Sequence, residues 1–480
     1  MVDWMADYLE KVSEYPVRSQ VKPNEILDQL PLSPPTQGEP YEQIFADFQQ
    51  IILPGITHWQ SPNYFAYFPA NGSYPSLLAE MLTATMGAQC MIWETSPAAA
   101  ELEERCMNWL RDMCGLPAHW SGVIQDTAST ASLAALLTAR EQASAFSVNQ
   151  KGFSGEEKYR VYCSSETHSS IEKGVKIAGL GAANLVKIPV DDQLALRADA
   201  LQKAIENDIA AGYQPLAVMA TLGTTSTTAM DPLAEIGPIC QQHKLWLHVD
   251  AAFAGTAFLM PEYRHWLEGI EYADSYVFNP HKWMFTHFDC TAYFVKDPDL
   301  LVNTFSILPE YLKTGTLGQV NDYRDWGIPL GRRFRALKLW FVIRSYGVEG
   351  LQKRLREHIA YAEELEGWIK DHPDFELVAP RSLNLVCFRW VGAPPVGTHN
   401  YVSLQGKSSA DLSLQDKFNA SLIDALNNSG KLYLTRTKVN GNYAIRLVTG
   451  NTHVNRDHVV AAWELICEYA KGLEQGYNID

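Results

Sequence analysis

From about residue 75 to residue 337 short apolar runs alternate with polar turns and segments of helical spacing. Tyr159-Arg-Val-Tyr-Cys163, Leu216-Ala-Val-Met-Ala220, Leu245-Trp-Leu-His-Val249 and Ser275-Tyr-Val-Phe278 read as strands, and a helix is expected from Ser169. Strands that alternate with helices join a largely parallel sheet, because a parallel neighbour can be reached only through a crossover. Few other architectures accept this order. In an open α/β sheet ligands sit beyond the carboxyl ends of the strands. Three polar clusters fall there, at Thr225, at Asp250 and at 279–282, and this convergence is the first pointer to function.

The flanking segments differ. Residues 1–30 place Trp4, Tyr8 and Val12 at helical spacing, and a second helix is expected over 41–52. Between them Pro31, Pro34, Pro35, Gly38 and Pro40 stop a helix. Two helices on a loop bury too little to stand alone, so this segment must pack on something else. Beyond Pro373, Leu383-Asn-Leu-Val-Cys-Phe-Arg389 and Tyr443-Ala-Ile-Arg-Leu447 read as strands, a Gly/Pro/Ser-rich stretch over 392–413 separates them, and 455–473 reads as a helix. The expected division is an N-terminal helical segment (1–73), a large α/β domain (74–337) and a small α+β domain (338–480).

Composition excludes some partners. Lys plus Arg number 39 against 55 Asp plus Glu, a net charge of −16, which offers no footprint for nucleic acid or an anionic membrane. No apolar run approaches the roughly 18–20 residues that span a bilayer. The first ten residues carry Asp3, Asp7 and Glu10 and no basic n-region, so a cytoplasmic protein is expected. The eight cysteines are sparse and form no CxxC pair, which reads as reduced, mostly buried thiols.

The strand-end residues carry the chemistry. In Asn279-Pro-His281-Lys282-Trp283 a lysine closes an apolar strand beside Trp283, and a desolvated lysine can form a Schiff base. In His248-Val-Asp250-Ala-Ala252 a carboxylate ends a buried strand, which is costly unless it meets a cation such as a protonated pyridine nitrogen. Taken alone, Asp250 is equally well a helix cap. Ala252 leaves room for a flat ring. Thr127, Ala128 and Ser129 open a helical run, where free N–H groups and the helix dipole bind phosphate, although ordinary capping gives the same pattern. His168 sits at another strand–helix junction, able to stack on a ring or handle protons. Gly179-Leu-Gly181 follows a helix rather than a strand, so it is not a dinucleotide fingerprint. The histidine pairs 243/248 and 281/287 lack metal-ligand spacing, and no metal is expected. A phosphate cradle, a ring-stacking His, a strand-end Asp and a strand-end Lys together describe a site for pyridoxal 5'-phosphate (PLP).

With these motifs the chain resembles the group II PLP-dependent decarboxylases, and among them the aromatic-L-amino-acid decarboxylases. The resemblance runs nearly end to end and is carried by His58-Trp-Gln-Ser-Pro62, Tyr67-Phe-Pro69, Ala220-Thr-Leu-Gly-Thr-Thr225, the Asp250 and Lys282 motifs, and Pro329-Leu-Gly-Arg-Arg-Phe334. It implies PLP fold type I, an obligate homodimer with shared active sites, and N-terminal helices that wrap over the partner. It implies that Lys282 bonds the cofactor, that Asp250 salt-bridges its ring nitrogen, and that His168 and Ala252 cover the two ring faces. Thr127, Ala128, Ser129, Asn279 and His281 would hold the phosphate, with Thr225 near the ring. Trp59, Tyr67, Phe68 and Pro69 would wall the substrate pocket, with Arg446 nearby. Tyr311, in Pro309-Glu-Tyr-Leu-Lys313, matches the proton-donating tyrosine of a mobile loop; relatives that form aldehydes oxidatively carry Phe there.

The same resemblance implies decarboxylation of aromatic L-amino acids to arylalkylamines and CO2. Gly331 leaves room for a bulky ring, which favours tryptophan, 5-hydroxytryptophan or DOPA over histidine. The pocket segment contributed by the partner reads Gln89-Cys-Met91-Ile-Trp93-Glu94, where animal members carry apolar or aromatic residues near Gln89 and Met91 and a small residue at Glu94. Asp126 stands where Gly is usual in the phosphate turn. Competing readings are an aromatic aldehyde synthase, a decarboxylase preferring tyrosine, phenylalanine, histidine or glutamate, and an inactive PLP-fold protein.

Overall fold

A computed structural model describes residues 1–307, 319–392 and 413–475. The chain divides into two compact units: Ala70–Glu357 with Ala379–Leu383, and Met1–Pro69 with His358–Val378 and Asn384–Asp480.

The larger unit is built on a seven-stranded sheet of β1 (Ser121–Gln125), β2 (Tyr159–Ser164), β3 (Leu185–Ile188), β4 (Gln214–Thr221), β5 (Trp246–Asp250), β6 (Ser275–Phe278) and β7 (Thr291–Val295). Their order across the sheet is β1-β7-β6-β5-β4-β2-β3. Strands β3, β2, β4, β5 and β6 pair in parallel, and β7 runs antiparallel to both of its neighbours. The sheet is therefore mostly parallel, as the alternating pattern implies. Two reversals around β7 return β1 to the direction of β6, so β1, β2, β4, β5 and β6 all point their carboxyl ends to one edge. All six residues 216–221 of β4 are buried, so neither face of the strand meets water, and its sequence shows an apolar run rather than alternation.

Helix Ala128–Ala143 packs across this sheet through Ala131, Ala134, Ala135 and Ala139, small residues that let its backbone lie close to the strands. Beneath the carboxyl edge lies a buried polar chain. His248 Nε2 and Nδ1 lie 3.1 Å and 2.8 Å from the Ser132 and Ser275 hydroxyls, and Trp246 Nε1 donates to Ser275 Oγ at 3.0 Å. Burial pushes the His248 imidazole down from 6.5 to about 3. It stays neutral in the fold, whereas the unfolded chain protonates it below pH 6.5. Its contribution to stability is full above that value and is lost as pH falls toward 3. The replacement His248→Gln removes this dependence. Between about pH 8 and about pH 5.5 the wild type should lose on the order of 1 kcal/mol more than the variant. Urea unfolding of both proteins at the two pH values checks this; equal losses would show that His248 does not titrate as argued.

The smaller unit carries an antiparallel sheet of β8 (Phe375–Leu377), β9 (Leu385–Trp390), β10 (Thr435–Val439) and β11 (Asn442–Val448), in the order β10-β11-β9-β8. Helices Leu414–Asn428 and Arg456–Glu474 pack on it, capped by Ser413 and Asn455. The N-terminal segment belongs to this unit. Phe65 N donates to the Tyr433 carbonyl at 3.0 Å, Val448 N donates to the Phe65 carbonyl at 3.1 Å, and Phe65 joins the core. Helix Val2–Lys11 is held by Trp4, which packs edge-on against Phe45 and Phe48. Among the described residues no helix is long and apolar enough to cross a membrane.

Candidate active site

The carboxyl edge of the large sheet gathers the groups singled out in the sequence. Asp250 ends β5 with 5% exposure. Burial pushes its carboxyl above the usual range, opposed by Lys282, by the Ala252 N–H at 3.0 Å and by His168. Lys282 lies in the single turn Pro280–Trp283 that follows β6. His168 caps helix Ser169–Ile177, its Nδ1 taking the Ser170 N–H at 3.2 Å. Partial burial lowers its pKa, and the charges of Asp250 and Lys282 act on it in opposite senses. Thus a carboxyl, an amine and an imidazole are brought together at three strand ends. Thr225, partly buried, stands in the turn after β4.

Next to them is the N-terminus of helix Ala128–Ala143. Thr127 caps it, Oγ1 taking the Thr130 N–H at 3.4 Å. Asp126 folds onto the same turn, and its Oδ1 accepts the Thr127 N–H at 2.6 Å. The extra acid is thereby engaged by the N–H of the capping residue itself. The first-turn N–H groups of Ala128 and Ser129 are those a helix does not use itself. Thr291, at the start of β7, ties this turn to the lysine-bearing segment: its hydroxyl lies 2.9 Å from the Asp126 carbonyl and 2.8 Å from Asn279 Oδ1. Asn279 N donates to the Ala252 carbonyl at 3.0 Å. His281 is buried against Cys290, whose N–H reaches its Nδ1 at 3.0 Å; burial first, then Lys282, pushes its pKa to about 3.

These groups fit pyridoxal phosphate: a buried carboxylate that a cationic ring nitrogen would stabilise, an amine across from it, and helix N–H groups for a phosphate. The pyridoxal-dependent decarboxylase conserved domain matches residues 23–391. The chain belongs to the pyridoxal-dependent decarboxylase family. Tryptophan decarboxylase 2 of Oryza sativa subsp. japonica is 43% identical over 481 residues, covering 98% of this chain and 93% of that protein. Phenylacetaldehyde synthase of Arabidopsis thaliana is 42% identical over 483 residues, covering 98% and 95%. The crystal structure of Oryza sativa TDC with PLP and tryptamine superposes with a TM-score of 0.92 at 36% identity, covering 98% of this chain and 96% of that one. The enzyme is accordingly a PLP-dependent carboxy-lyase with the α/β fold of that family.

Further residues of this decarboxylase are fixed by a buried ion pair. Arg332 donates to both Glu103 oxygens at 3.0 and 2.6 Å and to the Ile124 carbonyl at 2.8 Å. The Arg332 N–H donates to Gln89 Oε1 at 2.7 Å, and Cys90 N donates to the Arg332 carbonyl at 3.0 Å. The segment bearing Gly331 is thus tied to the segment bearing Gln89 and Met91. A Cβ added to Gly331 would stand 3.3 Å from Gln89 Nε2.

The smaller unit holds the remaining expected pocket residues. Trp59 stacks on Tyr64 with ring centres 4.5 Å apart, and Tyr67 lies 5.9 Å from Trp59. Arg446 is buried on β11, its guanidinium 5.4 Å from the Phe68 ring centre and its Nη1 donating to Thr435 Oγ1 at 2.9 Å. Pro69 packs beside Gly450. Tyr311 lies outside the described residues.

Three contributors escaped the sequence: Thr291, the Glu103–Arg332 pair, and Asn71, which is fully buried and reaches the Lys282 turn. Arg332 was in view only as a member of the Pro329-Leu-Gly-Arg-Arg-Phe334 motif. Nothing local marks Thr291 or Glu103, since their partners lie 12 or more residues away.

Proposed function

We propose that the chain decarboxylates aromatic L-amino acids, with tryptophan, 5-hydroxytryptophan and DOPA preferred, to arylalkylamines and CO2. The observation that carries this is the opposition of Asp250 and Lys282 at neighbouring strand ends, beside a helix N-terminus suited to phosphate. Bound PLP supplies an electron-accepting ring that takes up the electron pair left when the substrate carboxylate departs as CO2. Asp250 would hold a proton at the ring nitrogen. Lys282 would hold the cofactor through its side-chain amine. His168 and Ala252 would cover the two faces of the ring. Ala128 and Ser129 N–H groups, with the Thr127, Asn279 and His281 side chains, would orient the phosphate. Tyr311 gives its phenolic proton to Cα. Trp59, Tyr67, Phe68, Pro69, Gly331 and Arg446 would wall the substrate, with the segment bearing Gln89 and Met91 contributed by the partner subunit.

A homodimer is part of this reading. It is supported by helix Tyr74–Met86, which exposes Tyr74, Leu78, Leu82 and Met86 along one stripe, and by the exposed Leu27, Leu30 and Leu32. A cytoplasmic location is supported by eight free cysteines, seven of them buried.

Similarity to an aldehyde synthase keeps a second outcome in play. Amine and hydrogen peroxide should be measured together on tryptophan, 5-hydroxytryptophan, DOPA, tyrosine, phenylalanine and histidine. Amine from indoles or DOPA with little peroxide is expected. In Tyr311→Phe the products should shift to aldehyde, ammonia and peroxide, with oxygen consumed. Stoichiometric peroxide from the wild type would overturn the decarboxylase outcome.

A further inference from the structure

The turn that carries Lys282 is a single turn of helix, Pro280–Trp283, and so short a helix cannot satisfy its own terminal carbonyls. They are met by a segment some 200 residues earlier in the chain. The Asn71 N–H donates to the His281 carbonyl at 3.0 Å, and Asn71 Nδ2 donates to the Lys282 carbonyl at 2.7 Å. Ser73 Oγ donates to the Phe285 carbonyl at 2.7 Å, and the His287 N–H donates to Ser76 Oγ at 2.8 Å. Residues 71–76 thus stitch along 281–287 with four hydrogen bonds, and Asn71, Ser73 and Ser76 are all buried. The approach is so close that a Cβ at Gly72 would stand 2.3 Å from the His287 ring.

We propose that Asn71 is a positioning residue for Lys282, fixing the backbone from which the lysine reaches the cofactor. This rests on Lys282 being the attachment point proposed above. The side chain of Lys282 must exchange partners in each turnover while its amine returns to one place. A long, flexible stem transmits any shift of its backbone to the nitrogen. The Asn71 amide holds that backbone at the lysine's own carbonyl, whereas Ser73 holds the segment beyond the turn, at Phe285. The two bonds are alike in length, and only one acts at the lysine.

The test compares Asn71→Ala and the isosteric Asn71→Asp, which lacks the amide donor, with Ser73→Ala. Each purified holoenzyme is examined for PLP dissociation, for the pH midpoint of its visible absorbance band, for kcat and KM, and for thermal stability. Both Asn71 variants should release PLP about tenfold more readily, shift the band midpoint and lose kcat with KM little changed. Ser73→Ala should lose a similar amount of thermal stability yet keep the wild-type band midpoint and PLP retention. Asn71→Asp serves where Asn71→Ala fails to fold. If the Asn71 variants match Ser73→Ala in PLP retention and band midpoint, Asn71 is only a structural brace and the proposal fails. Borohydride reduction followed by peptide mapping separates this from an error about Lys282 itself: a label on another lysine would overturn the attachment site instead.

Discussion

Replacing Lys282 by alanine is expected to lower turnover by at least about 10³-fold, because the only route left for cofactor capture is non-covalent. The phosphate would still find the first turn of helix Ala128–Ala143, and Asp250 would still face the ring nitrogen, so PLP should bind more weakly rather than not at all. The diagnostic result is a pair of observations. Borohydride should fix PLP to the wild-type chain at the peptide containing Lys282 and fix none to the variant. The fold should survive, since Lys282 is only partly buried. A Lys282→Ala protein that retained a tenth of the wild-type rate would show that another amine does this work.

Asp250→Asn is the second large effect. The carboxylate is 5% exposed, and burial pushes its pKa upward, so the unliganded site holds a carboxyl that is poorly solvated when charged. A cationic ring nitrogen beside it would reverse that penalty. Asparagine keeps the shape and an oxygen that can accept the Ala252 N–H, now 3.0 Å from Oδ1, but carries no charge to keep the ring protonated. Turnover should fall by about 10²- to 10³-fold, as when one charge-stabilising group leaves a site that excludes water. Unlike the Lys282 variant, this one should still be labelled by borohydride at Lys282. Loss of labelling would mean that Asp250 holds the fold or the cofactor rather than the ring's charge.

The strands at the centre of the large sheet were legible because each is a buried apolar run bounded by polar turns. Ser275–Phe278 falls where the residues predict it, and β4 and β5 differ from the reading only at their ends. Strands β1 and β7 were not legible. Each is defined by its antiparallel partner as much as by its residues, and Ser121-Gly122 at the head of β1 looks like a turn. The N-terminal segment needed a surface on which to pack, and part of that need is met within its own chain through Phe65 and Tyr433.

What the sequence determined by itself is the chemistry: a lysine, a carboxylate, an imidazole and a helix start, each placed after an apolar strand in an alternating α/β order. That information is local, since a strand end and the residue following it are neighbours along the chain. Tertiary structure alone decided which groups hold these residues in place. Asn71 meets the Lys282 carbonyl, Thr291 bridges Asp126 and Asn279, and Glu103 pairs with Arg332, all across long stretches of chain. A hydrogen bond between distant residues leaves no periodicity or spacing in the sequence, because its partners are brought together only when the sheet has formed.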